Sequence, residues 1–72
     1  EYEELIRRLY EAISSLPPMQ ARRVHARYML GMKVKDIAAM EGITPSQAGK
    51  SIHAALRRLR RYFARQKWTV NL

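Results

Sequence analysis

Glu41-Gly42-Ile43-Thr44-Pro45-Ser46-Gln47 is the stretch that decides the fold. Gly42 stands where a helix ending in a left-handed cap needs glycine. Two residues on, Thr44 is an N-cap residue, Pro45 suits the first turn of a new helix, and Gln47 can reach back to complete a capping box. One helix therefore stops and another starts within a few residues. Two helices across so tight a turn, the second longer and basic, form the helix-turn-helix pattern, although many helical hairpins share that spacing.

Downstream of the turn, the recognition helix of such a pattern is expected between Thr44 and Arg65. On a helical wheel Ala48, Ile52, Ala55, Leu56, Leu59, Tyr62 and Phe63 fall on one side, and Ser46, Lys50, His53, Arg57 and Arg61 fall opposite. One face packs and the other meets something charged. Upstream, a short third helix fits Val34 to Met40. Helix two is expected from about Pro18 to Leu30, with Ala21, Val24, Tyr28 and His25 near one stripe and Gly31 as its cap. Helix one carries Tyr2, Leu5, Ile6, Leu9, Ile13 and Leu16 at helical spacing, with glutamates where the helix dipole favours them and Pro17-Pro18 as its stop. The expected fold class is all-α: one four-helix domain over residues 1–72 with a C-terminal helix-turn-helix. At 72 residues and 47% hydrophobic composition the chain can build one core without disulfides or metals. It lacks an initiator Met, so we expect a fragment of something longer.

Charge narrows the partner. Fourteen Lys and Arg oppose six Asp and Glu, a net +8, and four of the acids are Glu1, Glu3, Glu4 and Glu11. No acid follows Glu41, whereas Lys50, Arg57, Arg58, Arg60, Arg61, Arg65 and Lys67 do. A plain solvated face is the simpler reading of this run, but like charges at that density repel unless a polyanion neutralises them. Catalysis is excluded on inventory, with no cysteine, no Gly-rich phosphate loop and no pairing of His with a carboxylate or serine nucleophile. The absence of cysteine fits a reducing cytoplasm, and no apolar run approaches the roughly 20 residues of a membrane span. The only histidines are His25, expected to be partly buried and hydrogen-bonded, and His53, so neither a metal site nor a cofactor is expected. Met19, Met29, Met32 and Met40 read as core filler, or else as a soft docking surface.

Leu16-Pro17, Gln20, Arg27-Tyr28, Gly31, Ile37-Ala38, Gly42-Ile43-Thr44 and Leu56-Arg57-Arg58-Leu59-Arg60, in that order, resemble region 4 of bacterial sigma factors over about Ile13 to Phe63. The resemblance implies a four-helix unit that recognises the promoter −35 element in double-stranded DNA and docks on the β flap of RNA polymerase, with an anti-sigma factor as a further partner. Carried over, the family's base-reading positions fall on Pro45, Ser46 and Lys50, and its backbone-binding positions on Arg27, Gln47 and Arg57. Gln47 and His53 are further candidates for base contact, and Thr44, Arg58 and Arg61 for phosphate contact.

The sequence also departs from that family. Pro45 and Ser46 stand where primary sigma factors often present an arginine and an acid, so the usual −35 sequence need not be the target. Lys33 replaces a common capping Ser or Thr and supplies no acceptor; His25 replaces an aliphatic residue. Gly49 inside the recognition helix costs roughly 1 kcal/mol against alanine, through close approach to DNA or mere tolerance. These departures suggest a divergent member, of mobile-element or alternative type rather than housekeeping. The competing reading is an interaction module whose basic last helix, with Tyr62, Phe63 and Trp68, lies on an anionic membrane or in a partner's groove. It requires Ala48, Ile52, Leu56 and Leu59 to be exposed.

Overall fold

The two prolines at 17 and 18 divide the first two helices. In the computed structural model, which describes residues 2–66, α1 spans Tyr2–Ser14 and α2 begins at Pro18, with Pro17 as its N-cap. After Val24 the backbone widens into a single π turn, His25–Met29, and Leu30 N–H closes it on the His25 carbonyl at 3.1 Å. Helix two is thus interrupted rather than continuous to Leu30. A π turn adds a residue to the repeat and rotates the residues beyond it. Tyr28 accordingly leaves the stripe begun by Val24 and is 53% exposed.

Helix α3, Val34–Glu41, starts from Lys33 without a side-chain cap; Asp36 in its first turn supplies the negative charge the dipole favours. It ends in a Schellman motif: Gly42 N–H donates to Ala39 O, Ile43 N–H donates to Ala38 O, and Gly42 adopts φ 71°. Helix α4, Pro45–Arg65, begins after Thr44. No strand occurs among the described residues.

The core gathers Ala12, Ile13, Val24, Ala55, Leu59 and Phe63 from α1, α2 and α4, with Leu16 from the turn between α1 and α2. Ile37, Ala38, Ala48 and Ile52 are buried as well, where α3 packs on α4. Leu59, the largest fully buried side chain, sits at the centre. Leu56 is only half-buried, because a 260 Å³ cleft lined by Leu9, Tyr28, Met29 and Leu56 opens beside it. One expectation fails at the surface: Met19 and Met40 are exposed rather than core filler. Tyr2 and Leu5 at the start of α1 are exposed as well. Exposed ion pairs within one helix, Arg7 with Glu4 and Glu11 and Arg8 with Glu4, run along α1. The arginine hydrogen bonds hold the Glu4 carboxyl below the usual carboxylate range, Arg7 contributing most.

Candidate nucleic-acid interface

The first turn of α4 is fixed by reciprocal capping. Gln47 N–H donates to Thr44 Oγ1 at 3.1 Å, and Thr44 N–H donates to Gln47 Oε1 at 2.9 Å. This box satisfies two backbone donors a helix start otherwise leaves open. It also engages Gln47: one lone pair of its carbonyl oxygen is taken by Thr44 N–H, which folds the side chain back on the cap and leaves its amide donors for another partner.

From this start the helix sorts its side chains by face. Ala48, Ile52, Ala55, Leu59 and Phe63 are buried, while Ser46, Lys50, His53, Arg57 and Arg61 are all exposed, four and three residues apart. At 1.5 Å per residue that stripe runs roughly 22 Å. Arg58 and Arg60, also exposed, flank it at about 80° to either side for 100° per residue. Pro45 and Gln47 are exposed in the first turn. The base candidates and three of the phosphate candidates, Arg57, Arg58 and Arg61, therefore share one solvent-facing arc, and Thr44, also exposed, stands at its head. Lys67 and Trp68 lie outside the described residues. The apolar side of α4 is occupied by the fold: Ala48, Ile52 and Leu59 are buried and Leu56 half-buried, the opposite of what the membrane or partner-groove reading requires.

Arg27 lies apart from that arc. It is half-buried on the π turn, donates to the Met32 carbonyl at 3.4 Å and sits 5.5 Å over its neighbour Tyr28, so part of its donor set serves the loop. His25 is half-buried, its ring 6.4 Å from that of Tyr10. Among the described residues no group of three or more His, Cys, Asp or Glu gathers as metal ligands, and no helix is long and apolar enough to cross a membrane.

One arrangement escaped the sequence reading. Arg23 on α2 donates from Nε (2.9 Å) and Nη2 (2.5 Å) to Glu41 Oε1 at the end of α3, and from Nη1 to Ser51 Oγ on α4 at 2.7 Å. The guanidinium hydrogen bond holds the Glu41 carboxyl below its ordinary range against partial desolvation, and the same bond raises Arg23. Residues 18 and 28 apart carry no periodic signal; the only hint was that Glu41 is the last acid in the chain. Beside this cluster an open groove of about 540 Å³ runs between α2 and α3, lined among others by Met19, Arg22, Leu30, Met40 and Ile43.

Comparison with curated proteins and with solved structures gives no match. The family model for sigma-70, region 4, matches residues 6–59, from the second turn of α1 to Leu59 in the core, and so takes in α3, the turn after it and α4 as far as Leu59. With that span matched and the basic arc of α4 turned outward from an all-α core, the chain belongs to the sigma-70 region 4 family, whose members are DNA-binding domains of transcription initiation.

Proposed function

We propose that this chain is the promoter-reading domain of a sigma-like factor, entering the major groove with the first turns of α4 at the −35 side of a promoter and docking on the β flap of RNA polymerase. The observation that carries the DNA half is the exposed stripe Ser46, Lys50, His53, Arg57 and Arg61. In this geometry a recognition helix reads bases near its N-terminus and meets phosphates where it leaves the groove. Ser46, Lys50 and His53 take the base edges, with Pro45 packing against them and Gln47 donating through its amide. Arg57, Arg58 and Arg61 take phosphates, with Thr44 and Arg27 at the near side. For the polymerase half, exposed Met19, Leu30 and Met40 around the α2–α3 groove give an adaptable apolar surface. An anti-sigma factor would compete for the same surface.

Two variants separate reading from holding in fluorescence-anisotropy salt titrations on a duplex selected from a random pool and on its scrambled counterpart. Arg57→Ala should weaken both complexes alike and lower the salt slope by about one counterion. Lys50→Ala should cost about 1–3 kcal/mol mainly on the selected duplex. If Lys50→Ala loses the same affinity on both duplexes with the same drop in slope as Arg57→Ala, Lys50 holds a phosphate and the base-reading assignment fails.

A further inference from the structure

We propose that Arg23, acting through Glu41 and Ser51, is a positioning residue that sets the reading helix against the rest of the domain and so determines sequence discrimination; this rests on the DNA-reading proposal above. The side-chain hydrogen bonds of Arg7 with Glu11, Arg8 with Glu4, Arg27 with Met32 and Thr44 with Gln47 join residues no more than five apart, and they stabilise single helices or turns. Arg23 instead ties three helices together. Its planar fork fits the task, because Nε and Nη2 converge on one carboxylate oxygen while Nη1 reaches a different helix, which a lysine's single ammonium cannot reproduce. Its side chain is only 13% exposed, and that of Glu41 25%, so in a domain rich in exposed cations this one is largely covered, at the edge of the α2–α3 groove.

Ser51 is what makes the network relevant to DNA. It follows Lys50 of the reading stripe and precedes Ile52 of the core, so the bond from Arg23 grips α4 at the level of the base-reading side chains. Apolar packing along Ala48, Ile52 and Ala55 is non-directional and tolerates small rotations or slides of a helix built on alanines. A tilt of about 10° displaces a side chain about 10 Å away by about 2 Å, beyond what hydrogen-bond geometry to a base edge accepts. The directional bonds of Arg23 remove that freedom.

The sign of one variant separates this from simple electrostatics. Glu41→Ala removes an acid and frees a cation in a domain that binds a polyanion, so charge alone predicts tighter binding to every duplex. Positioning predicts the reverse on the preferred site. In anisotropy titrations Glu41→Ala should bind the selected duplex about 3–10-fold more weakly while the scrambled duplex is bound as well or better. Arg23→Lys, which keeps the charge, should show the same loss of discrimination with an unchanged salt slope, and the swap Arg23→Glu with Glu41→Arg should recover part of it. Circular dichroism at the assay temperature establishes that each variant is folded. Tighter binding of both duplexes by Glu41→Ala, or wild-type discrimination by Arg23→Lys, overturns the proposal. Should the wild-type chain bind no duplex at all, the DNA reading itself falls. The positioning role is then read from residual dipolar couplings of α2 and α4 in the free protein. A changed interhelical angle in folded Glu41→Ala supports it, and an unchanged angle overturns it.

Discussion

The same substitution, glycine to alanine, should have opposite effects at two positions seven residues apart. A Cβ built at Gly49 meets nothing within 4 Å, and Gly49 lies in the second turn of a regular 21-residue helix. Alanine there should gain the full difference in helix propensity, about 1 kcal/mol, through reduced backbone entropy in the unfolded chain. A Cβ at Gly42 also meets nothing within 4 Å, but Gly42 holds φ 71° in the Schellman motif. With neighbour contacts equally absent, only the backbone conformation differs, and the left-handed region costs an L-residue about 1–2 kcal/mol. For a domain of this size each kcal/mol moves Tm by about 4–8 °C. Thermal melts followed by circular dichroism should therefore place Gly49→Ala about 4–8 °C above the wild type and Gly42→Ala at least as far below it. Shifts of the same sign would refute the argument that backbone conformation, rather than packing, decides both sites.

Two further substitutions probe the packing and the cross-helix pair. Ile52 is 4% exposed, so Ile52→Asp buries an unpaired carboxylate, a change of about 3–5 kcal/mol against a total stability of about 4–11 kcal/mol for a chain of this length; Tm should fall by at least about 12 °C, and an unchanged melt would show that the packing face is misassigned. Glu41 has a folded-state pKa lowered by Arg23, so its contribution is complete above the unfolded carboxylate range near 4.3 and disappears as pH falls through the lower folded value. Urea midpoints measured from pH 6 to pH 2 should fall less for Glu41→Ala than for the wild type, Glu4 contributing equally to both; parallel profiles would remove the pair from the stability account.

Local chemistry made the helix-turn-helix legible. Gly42, Thr44, Pro45 and Gln47 each act on their own backbone or on atoms three residues away, and the capping box and left-handed cap form where those residue types predict. The faces of α4 were readable for the same reason, since a regular helix converts sequence spacing into direction without help from the rest of the chain. Helix two was less so. Its spacing assumes 3.6 residues per turn, and the π turn at His25–Met29 breaks that assumption and turns Tyr28 outward. Met19 and Met40 were misjudged because composition cannot say which of several apolar residues a 72-residue core has room to cover. The Arg23–Glu41–Ser51 network was invisible for a different reason: it depends on how three helices meet, and no spacing rule reports that.

The central claim is that α4 reads promoter DNA as part of a sigma-like factor. Its most direct test is selection of bound duplexes from a random pool by this chain together with RNA polymerase core, sequenced against a selection with core alone. The account predicts one enriched motif of a few consecutive base pairs, absent with core alone and degraded when Lys50→Ala replaces the wild type. Recovery of the same pool with and without the chain would contradict it.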